Sequence, residues 1–217
     1  MALALFDLDN TLLHGDSDYA WGQFLVERGI VDGQAYEAAN QRFYDLYKQG
    51  QLDIYEFARF AFTPLKENDY EQLLAWRQEF VAEKITPIML EKGRDTIAAH
   101  TERGDTVIII TATNSFVTQP IATAFGVKHL IATVPQMREG RFTGEIDGTP
   151  CFREGKVQRL QQWLEQHDMD LSGSTFYSDS HNDLPLLEQV DNPVAVDADE
   201  PLVATANHRN WPIISFR

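Results

Sequence analysis

Cysteine is all but missing from this chain. Cys151 stands alone, so no disulfide can form within it. That excludes a disulfide-stapled secreted scaffold and suits a reducing compartment. Long apolar runs are missing too, none approaching the roughly 18 residues that span a bilayer. The opening Met1-Ala2-Leu3-Ala4-Leu5-Phe6 has no basic start and meets Asp7 and Asp9 at once, too short for a secretion signal. The expectation is a cytoplasmic protein. Positive charge is scarce: 18 Lys and Arg against 33 Asp and Glu leave a formal charge of −15. Such a surface repels nucleic-acid phosphates and anionic lipid, so neither nucleic acid nor membrane is expected as a partner. Basic residues that do fall inside motifs gain weight for the same reason. No repeat, low-complexity tract, heptad or basic arm points to a protein partner, and the oligomeric state is not written in the sequence.

What is present is an alternation. Apolar runs at Ala2 to Phe6, Val107 to Ile110 and Thr175 to Ser178 each end in polar residues. The second is continuous and β-branched, as a parallel strand covered on both faces would be. Helical segments are expected at about 88–103, 115–125, 155–167 and 183–190. Strands alternating with helices predict an α/β fold with a doubly wound parallel sheet, whose ligands sit beyond the carboxyl ends of the strands. Residues 15–86 break the alternation with helical periodicity alone, and they hold 14 of the 24 aromatic residues. The expected division is a core of 1–14 and 87–217 with a helical insert of 15–86. A hairpin is expected within 134–146, around Arg138-Glu139-Gly140-Arg141. Trp211 to Phe216 reads as a last strand or packed tail.

The strand ends carry the chemistry. Asp7-Leu8-Asp9-Asn10-Thr11 puts two carboxylates two residues apart, a pattern that suits a hard divalent cation or a nucleophile beside an acid/base. A solvated turn is the competing reading. A calcium loop is disfavoured, because its sixth and twelfth positions would be Leu12 and Asp18 instead of Gly and Glu. Thr111-Ala112-Thr113-Asn114 offers a hydroxyl to a phosphate oxygen, or simply a helix cap. Tyr177-Ser178-Asp179-Ser180-His181-Asn182-Asp183 supplies further oxygen ligands, or an acidic loop. Lys156 opens a helix, where a cation opposes the dipole unless carboxylates or phosphate compensate it.

In this order, Asp-x-Asp-x-Thr, a hydroxyl after an apolar strand, a lysine and Asp-x-x-x-Asp, the chain resembles the haloacid dehalogenase-like phosphatases. It is most similar to their phosphoserine phosphatase-like branch, which has a Rossmann-like core and a helical cap after the first strand. The resemblance implies that Asp7 is the nucleophile, forming an aspartyl-phosphate, and that Asp9 protonates the leaving alcohol and then activates water. It implies a magnesium ion on Asp7, Asp9 (through its carbonyl) and Asp179. Thr111, Ala112 and Lys156 would hold the phosphoryl oxygens, with Asp183 and Asn182 in support. A carboxylate nearing a phosphate meets about 4 kcal/mol of repulsion per charge pair at 4 Å and an effective dielectric of 20, which a divalent ion and a lysine offset. The chain departs from the family at Ser180, where Gly is usual; His181 reads as a loop residue.

Phosphoserine would need a cation for its carboxylate, and Arg42 is the candidate in the insert. The insert has 13 acidic and 7 basic residues, however, and many aromatics. That balance better suits a cationic or heteroaromatic leaving group. Leu13-His14-Gly15-Asp16-Ser17-Asp18-Tyr19 also resembles the histidinol-phosphate phosphatases of this superfamily, with Asp16 and Asp18 placed to meet a substrate amine. A phosphotransferase, or a non-catalytic binder of a phosphorylated metabolite, remains the alternative.

Overall fold

The structure, a computed structural model, describes residues 2–217. Among them seven strands form one sheet: β1 (Leu3–Phe6), β2 (Thr106–Asn114), β3 (His129–Arg138), β4 (Arg141–Asp147), β5 (Thr175–Ser178), β6 (Asn192–Val196) and β7 (Ile213–Ile214). They lie in the order β4-β3-β2-β1-β5-β6-β7. All neighbouring pairs are parallel except β3 with β4, which forms the expected hairpin. The chain builds outward from β1 on one side and then on the other. The crevice therefore opens at the carboxyl ends of β1, β2 and β5, where the direction of winding reverses.

β1 is buried at every position because strands flank both of its edges and side chains cover both of its faces. Leu3 and Leu5 join Ile108, Ile110 and Phe176 in one apolar cluster. Ala4 and Phe6 join Val107 and Ile109 in a second one, which continues into the helices that follow β1. Those helices are α1 (Ser17–Glu27), α2 (Gly33–Lys48), α3 (Ile54–Ala61), α4 (Thr63–Glu67) and α5 (Tyr70–Phe80), with a π turn at Val81–Ile85. Trp21, Phe24, Phe62 and Phe80 are nearly inaccessible, and Trp21 lies 5.1 Å from Phe80 and 6.1 Å from Phe116 between ring centroids. Much of the aromatic excess is thus core.

The remaining helices are α6 (Glu91–Glu102), α7 (Ser115–Ala124), α8 (Glu154–His167), α9 (Leu184–Leu187) and α10 (Glu200–Arg209). α6 starts later than expected. Leu12 O accepts from Leu90 N at 3.0 Å and Ile88 O from His14 N at 2.7 Å, so the two segments flanking the inserted helices run side by side. β2 runs four residues past Ile110, and β6 and α10 were not anticipated. Pro193 and Pro201 sit at the second position of each element, where little backbone donation is lost. No helix among the described residues is long and apolar enough to cross a membrane.

Candidate active site

β1 delivers Asp7 to its carboxyl end, and α8 brings Lys156 against it. Lys156 Nζ donates to Asp7 Oδ1 at 2.7 Å and to Asp183 Oδ2 at 2.8 Å. All three residues are at most 3 % exposed. A buried ammonium is tolerable only when compensated this way. Against burial, which lowers it, the charges of Asp183 and Asp7 hold the Lys156 ammonium above its ordinary range. Burial raises Asp7 to about 7, against the pull of Lys156. Gly155 makes the placement of the lysine possible, since a Cβ there would stand 2.0 Å from Pro150 O.

Asp9 is held from two directions. Ser17 N donates to Oδ1 at 2.6 Å, and Thr113 Oγ1 donates to Oδ2 at 2.8 Å. Burial and the neighbouring Asp16 raise its carboxyl to about 7. A carboxyl near 7 can give and take a proton at neutral pH. Thr111 is buried, and its Oγ1 accepts from Thr113 N at 3.2 Å. Thr133 Oγ1 donates to Ala112 O at 2.8 Å, fixing the strand end.

On the other side of β1, Thr11 Oγ1 donates to Asp179 Oδ1 at 3.1 Å and accepts from Asp179 N at 3.0 Å. Burial, then the charges of Asp7 and Asp183, push the Asp179 carboxyl well above its usual range. Ser178 Oγ donates to Asp183 Oδ2 at 2.6 Å. Ser180 has ordinary extended backbone (φ −111°, ψ 133°), so glycine is not required there, and its Oγ accepts from Asn182 N at 3.2 Å. His181 pairs with Asp199, Nδ1 to Oδ2 2.6 Å.

The structure therefore brings Asp7, Asp9, Lys156, Asp179 and Asp183 to one crevice, with Thr111 and Ala112 at its edge. Among the described residues, no three His, Cys, Asp or Glu side chains converge as a cation site by themselves. Ser17 and Thr113 fix the Asp9 carboxyl at the side, and its backbone carbonyl is a further oxygen that a cation could use. Oxygen donors from Asp7, Asp179 and that carbonyl, completed by water, fit a hard cation that keeps part of its hydration. Asp7, Asp179 and Asp183 around one ammonium also favour an added positive charge.

Beside this group lies a pocket lined by Asp16, Asp18, Tyr44, Tyr47, Phe57 and Thr113 among others. Asp16 doubles as the cap of α1, accepting from Tyr19 N at 2.8 Å. Asp18 accepts one long bond, 3.3 Å from Asn114 Nδ2, and burial, followed by the charges of Asp16 and Asp9, raises its carboxyl well above its usual range. The structure does not bring Arg42 to this pocket: it is exposed, 3.2 Å from Glu56, and no Lys or Arg lines the space. His14 is exposed and outside the lining as well. Sequence reasoning missed Thr113 and Tyr47. A second hydroxyl two residues after Thr111 was the available signal for Thr113; Tyr47 had none beyond its aromaticity.

The haloacid dehalogenase-like hydrolase family matches residues 4–188, and the chain belongs to that family. It is a phosphatase within it. A histidinol-phosphatase of Neisseria meningitidis is 43% identical, with 99% of each chain covered. A phosphoserine phosphatase of Mycobacterium tuberculosis is 31% identical over all of this chain and 71% of its own length. Among solved structures, a Bordetella pertussis protein of unknown function superposes with a TM-score of 0.94 at 44% identity, covering 100% and 99% of the two chains. A substrate-bound phosphoserine phosphatase reaches 0.73 at 17% identity, covering 100% and 93%, which speaks for the fold.

Proposed function

We propose that this phosphatase is a cytoplasmic, magnesium-dependent phosphomonoesterase acting through Asp7, with L-histidinol phosphate as its substrate and residues 15–86 as its cap domain. The observation that carries the reading is the Lys156 bridge between Asp7 and Asp183, beside an Asp9 carboxyl held for proton transfer.

Asp7 Oδ attacks phosphorus, and the ester P–O bond breaks as Asp9 gives its proton to the departing alcohol oxygen. Asp9 then takes a proton from water, which attacks phosphorus and releases phosphate from Asp7. Lys156, with Thr111 and the backbone at Ala112, steadies the transferring oxygens. Magnesium bound by Asp7, Asp179 and the Asp9 carbonyl would supply the charge that lets an anion approach an anion. The helices over the crevice exclude bulk water.

The pocket favours histidinol phosphate over phosphoserine. It presents aromatic rings and two carboxylates for an imidazole and an amine, and offers no cation for a carboxylate. The test is phosphate release with magnesium from histidinol phosphate, phosphoserine and an aryl phosphate, with Asp7→Asn as control. Release that Asp7→Asn retains in full would sink the nucleophile assignment. Preference for phosphoserine would overturn the substrate. Product analysis with an added acceptor alcohol separates hydrolysis from transfer.

A further inference from the structure

The end of α2 meets the loop bearing Asp179 and Asp183 through a small polar network outside the reacting group, with Arg153 at its centre. Arg153 Nε donates to Asn182 Oδ1 at 3.0 Å, and its guanidinium also donates to Gly50 O. Asn182 Nδ2 donates in turn to Tyr47 O at 3.1 Å, and Tyr47 OH lies 3.4 Å from Ser180 Oγ. Gly50 lies two residues past α2, near the negative end of its dipole, where a guanidinium is favoured.

Two further observations show that the contact is built. Gly50 (φ +66°) admits the approach: a Cβ there would stand 2.8 Å from His181 Nε2 and 2.9 Å from Arg153 Nη2. Arg153 itself holds φ 51° and ψ −121°, a conformation that side-chain-bearing residues rarely adopt. It does so three residues before Lys156, directly before α8. Tyr44 and Tyr47, on the same stretch of α2, line the pocket.

We infer that Arg153 is a positioning residue, a clamp that fastens the end of α2 to the Asn182–Asp183 loop and so seats the pocket wall over the reacting carboxylates. It sits where α2, the Asp179 loop and the start of the lysine-bearing helix meet. Its Nε and Nη2 reach two different segments from one planar fork, a geometry that a lysine's single nitrogen matches only in part. The strained backbone is tolerated because the fork must point at both.

The clamp's effect on turnover rests on the phosphatase reading; its effect on α2 does not. The test therefore has two arms, run on the full chain as wild type, Arg153→Ala, Arg153→Lys and Arg153→Gly. In hydrogen exchange, amides of residues 47–53 should exchange about tenfold faster or more in the Ala and Gly variants, with Lys between them and wild type, while β1, β2 and β5 keep their protection. Arg153→Gly, which relieves the backbone, should melt above Arg153→Ala yet open just as far. With aryl phosphate and magnesium, kcat should fall about tenfold in Ala and Gly and recover partly in Lys. Unchanged exchange at 47–53, or an equal rise across the sheet, would overturn the clamp. Faster exchange there with kcat and KM intact would overturn its positioning role. A wild type that hydrolyses nothing would sink the phosphatase reading and leave the exchange arm to decide the clamp.

Discussion

Thr113 Oγ1 and Asp9 Oδ2 are 2.8 Å apart, so the carboxyl proposed as acid and base is aimed by a hydroxyl from the neighbouring strand. Thr113→Val keeps the shape and removes the bond. With Asp9 free to turn, kcat should fall by about 10- to 100-fold while KM changes little. Steady-state kinetics on an aryl phosphate decide it, and an unchanged kcat would show that Ser17 N alone suffices.

Asp18 separates substrates. If its carboxylate receives the amine of histidinol phosphate, Asp18→Asn should lower kcat/KM for that ester by about 10- to 100-fold, the worth of a charge-assisted bond of about 1.5–3 kcal/mol. An aryl phosphate, which has no amine, should be spared. Equal losses on both substrates would make Asp18 a structural residue of α1.

Asp179 should report on metal. Magnesium added to metal-free protein at 100 times its dissociation constant should stabilise by about 2.7 kcal/mol, or roughly 5–10 °C in melting temperature for a chain of this size. Asp179→Asn should remove most of that shift, read by thermal melting with and without magnesium. A full shift in the variant would place the ion elsewhere.

Far from the site, His100 Nδ1 lies 2.9 Å from Asp105 Oδ2, and that hydrogen bond leads the interactions holding the Asp105 carboxyl below its ordinary value. A depressed carboxyl contributes stability above the unfolded value of about 3.9, and loses it as pH falls through its folded value. Urea unfolding between pH 5 and 3 should therefore show a steeper loss in wild type than in Asp105→Asn. Parallel curves would show that the pair contributes nothing through protonation.

The sheet's centre was legible because β1, β2 and β5 are short, largely apolar or aromatic runs whose polar endings coincide with the site. Asp7, Asp9, Lys156, Asp179 and Asp183 could be read for the same reason, each standing in a short motif at a strand end or helix start. What supports them could not. Thr113, Ser17 and Ser178 are hydroxyl residues of a kind found throughout the chain, and the Thr113 partner lies 104 positions away. Arg42 shows a limit of another sort: periodicity gives a helix but not which of its faces meets the crevice, and here Arg42 stays with Glu56 in solvent. β6 and α10 are short and each carries a proline at its second position, Pro193 and Pro201, so their local pattern is weak.

The side-by-side run of Leu12–His14 and Ile88–Leu90 makes the inserted helices, in polymer terms, a loop whose two ends are already tied together. The entropy of closing such a loop grows only logarithmically, by about 0.6 kcal/mol for each doubling of its length. Changes in the length of that segment therefore cost the sheet little chain entropy; what they put at risk is packing, through Trp21, Phe24 and Phe80, and the aim of Asp9, through Ser17 N. In a chain built this way, the choice of leaving group can change without disturbing cleavage wherever the insert touches neither Ser17 nor the end of α2.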